Sequence, residues 1–261
     1  MINAMKEKRR LWEKEEFVLV LSLYFQLKFG QLSSTNKKVR YYASLIGRTS
    51  SSVAMRLTNF AACDPYILAT GRHGLEAGRK QCQPYWEEYV NDKERLFLEA
   101  EVIKARLQSK TVECILGISD SDFVGTTRAA VVQQRVNQNV FRSMILNNYN
   151  NKCAITGIDI PELLVASHIV PWAADEKNRL NPENGICLSP LYDKVFDKGL
   201  ITISPDYEIL LSEELKSHSG SSYFEKQFGC IDHHRISLPE EHSPKREFLE
   251  YHRDNLFSQH N

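Results

Sequence analysis

Apolar residues recur at helical intervals through the first half of the chain. In the segment 12–29 they are Phe17, Val20, Leu21, Tyr24 and Leu27. This spacing predicts an amphipathic helix, and similar patterns predict helices over 36–46 and from about residue 50 to 60. Residues 66–82 are rich in Gly, Arg and His and predict a loop.

A longer pattern of mainly apolar positions, three and four residues apart, runs through residues 86–107. Its members are Trp86, Tyr89, Lys93, Leu96, Ala100, Ile103 and Leu107. Seven positions at this spacing predict one long helix that pairs with another helix. Because Lys93 interrupts a seam of only three heptads, pairing in a homodimer and packing within the chain are both open.

The pattern changes after the first half of the chain. A Ser-, Asp- and Gly-containing segment at 110–127 predicts a domain boundary, and the residues at 128–149 predict a further helix. Near the end of the chain, alternation over 200–211 predicts one or two strands, and residues 244–257 predict a closing amphipathic helix.

Between these elements lies a short strand–loop–strand–helix segment. Branched apolar residues predict strands at 163–170 and 185–189, on either side of a charged loop. Pro190 is suited to the first turn of a helix, and Gly199 is suited to ending it. The result is a β-hairpin packed on one short helix.

Polar side chains of three kinds point into one small volume of this segment. His168 ends the first strand, Asn184 begins the second, and Asp193 and Asp197 lie four apart on one helix face. A neutral imidazole can accept a proton from water near neutral pH. Carboxylates are hard oxygen ligands that favour Mg²⁺ or Mn²⁺. An asparagine cannot act as a base, so we interpret Asn184 as an orienting residue.

This arrangement resembles the HNH, or ββα-metal, nuclease motif. The matching residues are Ser167-His168-Ile169-Val170-Pro171-Trp172, Asn184-Gly185 and Phe196-Asp197-Lys198-Gly199. The resemblance implies that His168 is the base, that Asn184 is the hairpin asparagine, and that the helix binds one divalent cation. Asp193 stands where the family commonly has its last histidine, a departure that is acceptable for a metal ligand.

Some roles within the motif are open. Asp197 is either a second metal ligand or a structural residue near the helix end. Ser167 is a weak ligand at a position where related sites often have a histidine or an acid. Tyr192 either touches the phosphate or packs against the protein. Six scattered cysteines form no CxxC pair, so no structural zinc is expected.

The spacing of Ala43, Gly47 and Val53 fits a helix-turn-helix, with a small residue, a turn glycine and an apolar residue. This interpretation places five residues at or near a DNA-facing side: Arg48, Thr49, Ser51, Ser52 and Arg56. The alternative is a small helical bundle with no DNA role. The first half also resembles the amino-terminal part of bacterial restriction endonucleases that end in an HNH domain. The segments that carry this likeness are Trp12-Glu13-Lys14-Glu15-Glu16, Arg48-Thr49-Ser50-Ser51-Ser52-Val53-Ala54, Asn59-Phe60 and Asp64-Pro65.

The distribution of charge supports a nucleic-acid partner, although 33 basic residues balance 33 acidic ones. Residues 1–60 hold 11 Lys and Arg against 4 Asp and Glu, an excess of 7. Residues 126–150 hold three arginines and no acid. These arginines, Arg128, Arg135 and Arg142, are predicted to lie along the DNA backbone, with an ordinary solvated helix face as the alternative.

These observations predict an α+β protein in three parts. Residues 1–82 form a helical, helix-turn-helix-like DNA-binding domain, 83–125 a connecting helix and linker, and 126–261 an HNH nuclease domain with its ββα-metal core at about 151–199. The expected activity is metal-dependent cleavage of double-stranded DNA. The resemblance implies restriction of foreign DNA, possibly with modified bases. The alternatives are a DNA-binding regulator with a degenerate nuclease site and a non-specific nuclease or toxin.

The same composition bears on where the protein resides. No apolar run approaches the ~20 residues of a membrane span, and residues 1–10 lack a secretory apolar core. We therefore expect cytoplasmic residence and no membrane partner.

Overall fold

The computed structural model of the protein describes residues 10–123 and 127–260. Its contacts divide the chain into two compact units. The first runs to Phe25 and continues over Phe29–Gln133, and the second contains Gln26–Lys28 and the chain from Gln134 onward. The first unit is helical and the second carries the strands, which confirms the α+β class. The predicted boundary between residues 125 and 126 lies outside the described residues.

The helices of the first unit follow one another with short connections. In its described part they are α1 (Lys14–Tyr24), α2 (Lys37–Leu45), α3 (Ser50–Ala61), α4 (Pro65–Ala69), α5 (Arg79–Tyr89), α6 (Lys93–Leu107) and α7 (Val112–Leu116). A long helix, α8 (Arg128–Asn148), then contains the division between the two units. None of the described helices has the length and apolar character needed to cross a bilayer.

Helix α1 forms the core of the first unit. Every residue from Glu16 to Tyr24 is buried, as expected of a helix that is surrounded by others. It packs mainly against α3 and α6. The predicted helix-turn-helix segment is made of α2 and α3, which are joined by residues 46–49 with Gly47 in the left-handed region at φ 64°.

The pattern at 86–107 forms two helices where one was predicted. The break lies at residues 90–92, where the Asp92 side chain caps α6 by accepting a hydrogen bond from the Arg95 amide. Trp86, Leu96 and the other apolar positions near the break are buried inside the unit. Packing within the chain therefore accounts for this pattern.

The structure differs from the sequence prediction in two further segments. Residues 66–82 were expected to form a loop, but they include most of α4 and the start of α5. The segment 83–125 was expected to be a connector, but α6 packs closely against α1 and belongs to the helical unit. The apolar side chains of α6 are the physical reason for this second difference, since they need a partner surface to be buried against.

The second unit is built around two small sheets. Its elements are β1 (Val165–His168), β2 (Gly185–Leu188), α9 (Pro190–Asp197), β3 (Ile201–Ile203), β4 (Ile209–Leu211), α10 (Glu213–Lys216), α11 (Ser222–Gln227) and α12 (Arg246–Asn255). β1 and β2 pair antiparallel, with His168 opposite Gly185, and β3 pairs antiparallel with β4. Pro190 begins α9 and Gly199, at φ 68°, follows its end, as the sequence predicts.

Gly185 lets the hairpin pack closely on α8. A Cβ atom at this position would lie 2.4 Å from Ile145 Cδ1 and 2.7 Å from Phe141 Cζ. Both distances are shorter than a van der Waals contact between two carbon atoms, so a larger residue would push the hairpin and α8 apart.

We therefore expect Gly185→Ala to lower the free energy of unfolding by about 2 kcal/mol, the typical cost of overpacking a core. Urea denaturation followed by circular dichroism measures the change. Gly30→Ala is the matched control, because a Cβ there meets no atom within 4 Å and Gly30 has no positive φ. Equal denaturation midpoints for the two variants would contradict the proposed close packing.

Candidate functional site

Three of the predicted site residues come together in the second unit. His168 from β1 and Asp193 and Asp197 from α9 line one cavity of about 510 Å³. The antiparallel pairing of β1 and β2 brings the end of β1 to the start of β2, and α9 follows β2 after a single residue, Ser189. The short connections therefore hold the imidazole and the two carboxylates around one space.

The His168 ring is fixed by its neighbours. It stacks on Phe141 of α8 with ring centroids 3.6 Å apart, and the Trp172 ring lies edge-on at 5.4 Å. Its Nε2 lies 3.0 Å from the Arg179 carbonyl oxygen. Because a carbonyl only accepts hydrogen bonds, Nε2 carries a proton, which leaves Nδ1 unprotonated in the neutral ring.

Burial also keeps this imidazole neutral. Loss of solvent lowers the pKa of His168 below its ordinary value of 6.5, and the charge of Arg179 lowers the pKa further, against the opposing effect of the hydrogen bond to the Arg179 carbonyl. The His168 imidazole is therefore unprotonated at neutral pH.

Asn184 is fully buried and does not line the cavity. Its Oδ1 accepts a hydrogen bond from the Val170 amide at 2.8 Å, and its Nδ2 donates to the carbonyls of Val170 and Asn178, each at 3.3 Å. Val170 lies at the start of the loop that joins β1 to β2, and Asn178 lies inside it. Its contacts are those of an orienting residue that shapes the backbone next to His168.

The loop between the strands contains residues that the sequence analysis missed. Asp175 accepts hydrogen bonds from the Asn178 amide and side chain, and Asn181 donates to Asn178. Arg179 Nε donates to the Trp172 carbonyl at 2.9 Å and its guanidinium lies over the Trp172 ring. The spacing of three among Asp175, Asn178 and Asn181 is a turn signal from which an ordered loop could have been predicted.

The two aspartates of α9 share the cavity without a salt bridge in the described part of the chain. Burial raises the pKa of Asp193, while the Ser167 hydroxyl and the charge of Lys194 offset part of this rise. Asp197 is more exposed than Asp193. Partial burial, followed by the charge of Asp193, raises its pKa as well, against the charges of Lys194 and Lys198. Two crowded carboxylates of this kind are stabilised by a cation.

The donor set fits a hard divalent cation. Within the described residues, no group of three or more His, Cys, Asp or Glu is placed to hold a metal. Mg²⁺ commonly binds through one or two carboxylates and keeps several waters, so Asp193 and Asp197 satisfy its needs. Ser167 adds a buried hydroxyl that faces Asp193 but makes no well-formed hydrogen bond among the described residues.

Two other side chains near the site have structural contacts. Tyr192 is buried and its hydroxyl donates to the Gln227 carbonyl at 2.6 Å, which agrees with the packing alternative. His252 of α12, which the sequence analysis did not single out, lines the cavity and stacks on Phe196. Its Nε2 donates to the Phe196 carbonyl and its Nδ1 accepts from the Thr202 hydroxyl, and burial lowers the pKa of His252 to about 4.

The five predicted DNA-facing residues of the first unit, from Arg48 to Arg56, line a second cavity of about 1040 Å³. Arg48 binds the Glu16 carboxylate at 2.7 Å and the Leu11 carbonyl at 2.6 Å. Arg56 is only 7% exposed. Arg56 therefore forms part of the cavity wall, whereas the sequence predicted an outer position that faces DNA. Thr49 and Ser51 are exposed at the start of α3, and Ser52 is half-buried.

The three arginines of α8 are not gathered into one site. Arg128 pairs with Glu113 at 2.8 Å, and Arg142 donates to the carbonyls of Leu164 and Pro161. Arg135 is exposed. Arg142 thus holds the segment before β1 against α8, a role that the charge pattern alone did not indicate.

Comparison with known proteins identifies the segment that carries the hairpin and α9. Residues 153–204 match the model of the HNH endonuclease family HNH_2. No curated protein matches the chain. The matched residues include His168, Asn184, Asp193 and Asp197, and they extend through β3. The chain therefore contains a C-terminal HNH endonuclease domain.

Proposed function

We propose that the protein is a divalent-metal-dependent endonuclease that cuts foreign double-stranded DNA. The observation that carries this proposal is the single cavity lined by His168, Asp193 and Asp197 within the HNH domain. Hydrolysis of a phosphodiester needs a water nucleophile, charge neutralisation at the phosphate and help for the leaving oxygen. The cavity contains a group suited to each need.

His168 is the general base of the proposed reaction. With Nε2 donating to the Arg179 carbonyl, Nδ1 is the nitrogen that accepts a proton from the attacking water. Stacking on Phe141 prevents the ring from turning away. Asn184 is a positioning residue, because it fixes the backbone at Val170 two residues after the base.

Asp193 and Asp197 would hold the cation. A divalent ion supplies positive charge at a phosphate oxygen and at the departing oxygen. Lys194 and Lys198 line the same cavity and are exposed, so they are available to bind the DNA phosphates on either side of the scissile bond.

The choice of DNA as substrate rests on the first unit. Its α2–turn–α3 arrangement and its cluster of basic residues suit a duplex partner. The action on foreign DNA, the possible homodimer and cytoplasmic residence are predictions from the sequence. The departures at Ser167 and Asp193 keep in view a DNA-binding regulator with a degenerate site. A non-specific nuclease or toxin is the other alternative.

We expect His168→Ala to fold and to bind DNA but to cleave plasmid at least ~100-fold more slowly, since general-base catalysis typically contributes that much. Agarose gels of plasmid digested with Mg²⁺ or Mn²⁺ measure the loss. His218→Ala, an exposed histidine of the same unit outside the cavity, is the matched control. Undiminished cleavage by His168→Ala would contradict the proposal.

The digestion pattern of the wild-type protein separates the alternatives. Discrete fragments support restriction, even degradation supports a non-specific nuclease, and binding without cleavage supports a regulator. Comparison of modified with unmodified genomic DNA shows whether base modification is required.

The cleavage rate should rise with pH and reach a plateau, with a midpoint below 6.5. Only the unprotonated imidazole acts as a base, and burial lowers the pKa of His168, so activity is lost as the pH falls through that lowered value. Initial rates at saturating metal and DNA measure the profile. A midpoint clearly above 6.5, the ordinary value for histidine, would be inconsistent with His168 as the base.

We expect Asp193→Asn to weaken Mn²⁺ binding by about tenfold or more, because the ligand loses its charge. Electron paramagnetic resonance of free Mn²⁺ measures affinity without any reaction. Asp159→Asn, an exposed aspartate of the same unit outside the cavity, is the control. Asp197→Asn tests the open role of Asp197: lost affinity makes it a ligand, and wild-type affinity makes it structural. Wild-type affinity in Asp193→Asn would contradict the proposed ion site.

A further inference from the structure

The cavity of about 1040 Å³ in the first unit has the size of a ligand site. Its walls come from residues 10–12, from Phe17 of α1, from the first turns of α3 and from α5. All of these residues lie within the helical unit. The cavity is distinct from the one that holds His168.

Arginines and aromatic rings alternate along one wall of this cavity. The Arg48 guanidinium lies 4.2 Å from the centre of the Trp12 ring, and Arg56 lies 4.7 Å from the same ring. Arg56 also lies 4.7 Å from the Phe17 ring, which stacks on Tyr85 at 4.3 Å. Trp12 and Tyr85 both line the cavity and are only half-buried, so each ring keeps surface that a planar group can reach.

The lining is strongly cationic. It contains Arg10, Arg48, Arg56 and Lys80 and no acidic residue. The nearby Glu16 carboxylate binds Arg10 and Arg48 and neutralises one of the four charges, which leaves an excess of three. Burial acts to raise the pKa of Glu16, but its hydrogen bonds with Arg48 and at the Glu13 backbone, with the charges of both arginines, lower it overall. Glu16 therefore stays ionised.

Arg56 is the residue that points to an anionic ligand. Arg56 is buried, at 7% exposure, and its described hydrogen-bond partners are the Gln81 amide oxygen at 3.0 Å and the Cys82 sulfur at 3.7 Å. Its Nε has no hydrogen-bond partner in the described part of the chain, and no described carboxylate pairs with it. A buried guanidinium without a counter-ion is unfavourable unless an anion joins it.

The start of α3 supplies further donors to the same cavity. Thr49 caps the helix by accepting a hydrogen bond from the Ser52 amide, and the side chains of Ser51 and Ser52 line the cavity. The first amides of a helix have no partner within it, and the helix dipole favours negative charge there. In a helix of 12 residues this end suits a phosphate.

We propose that this cavity binds a single unpaired nucleotide, with the phosphate at the start of α3 beside Arg56 and the base stacked on Trp12 or Tyr85. The inference deepens the proposed function, because it assigns the first unit to a nucleotide outside the base stack of the DNA. Displacement of one base from a duplex costs energy that stacking on aromatic rings and charge pairing can offset. A free nucleotide offers the same chemistry, so both sources are tested.

Fluorescence anisotropy of the full-length protein in EDTA measures binding without cleavage. Three labelled probes are compared: a short single strand, a paired duplex, and the same duplex with one unpaired nucleotide. Calorimetry with dAMP tests the free nucleotide. We expect the single strand and the interrupted duplex to bind at least ~10-fold more tightly than the paired duplex, as stacking contributes about this much per base.

Ser51→Glu is the informative variant. It places a negative charge where the phosphate would lie, on an exposed residue in the first turn of α3, where acidic side chains favour the helix. Ser44→Glu is the matched control, since Ser44 is exposed in the same unit and outside the cavity. We expect Ser51→Glu to weaken binding of the unpaired nucleotide by about tenfold or more and Ser44→Glu to leave it within about twofold.

Each outcome decides the proposal. Binding of the interrupted duplex that depends on residue 51 supports a nucleotide of the DNA, and binding of dAMP alone with the same dependence supports a free nucleotide. Equal affinity for paired and interrupted duplexes without dAMP binding, or equal effects of Ser51→Glu and Ser44→Glu, would overturn it. Because these measurements need no cleavage, their failure is separable from failure of the proposed nuclease activity.

Discussion

The side-chain amide of Asn184 is the constraint on which the β1–β2 hairpin depends. It has no exposed surface, so the protein itself must satisfy its hydrogen bonds. Its partners are backbone groups of Val170 and Asn178, one just after β1 and one inside the loop. Loss of this amide would leave the buried Val170 backbone groups unpaired, at a cost of about 1–3 kcal/mol for each group.

The same hairpin is held from outside by α8. Phe141 stacks on His168, and Arg142 donates to the carbonyls of Leu164 and Pro161 just before β1. His168, the proposed base, therefore lies on a strand whose beginning is held by α8 and whose end is held by Asn184. A side chain that is fixed on both sides in this way loses little entropy when a ligand binds.

Short-range signals in the sequence predicted much of this arrangement. Pro190 and Gly199 gave the limits of α9, and the spacing of Asp193 and Asp197 placed both carboxylates on one side of it. The positions of the two hairpin strands followed from their branched apolar residues. Such features depend on neighbours within a few positions, and a single sequence contains that information.

Features that depend on distant contacts were not predictable in this way. The break between α5 and α6 was also missed, although its signal is local: Asp92 caps a new helix while the apolar pattern continues through the break. Arg56 has the appearance of a surface arginine in the sequence, but α5 supplies Gln81 and the region before α1 supplies Trp12 to enclose it. His252 reaches the site from 56 residues after Phe196.

His252 makes the packing of α12 sensitive to acid. The ring joins α12 to β3 and α9 as the neutral species, because burial disfavours the charged imidazolium. Unfolded chains take up this proton near pH 6.5, whereas burial holds the pKa of the folded residue at about 4. The contribution of His252 to the free energy of unfolding is therefore complete above pH 6.5. It declines by roughly 3 kcal/mol in all as the pH falls toward 4. Mild acid therefore loosens the anchor of the helix that carries Asp193 and Asp197.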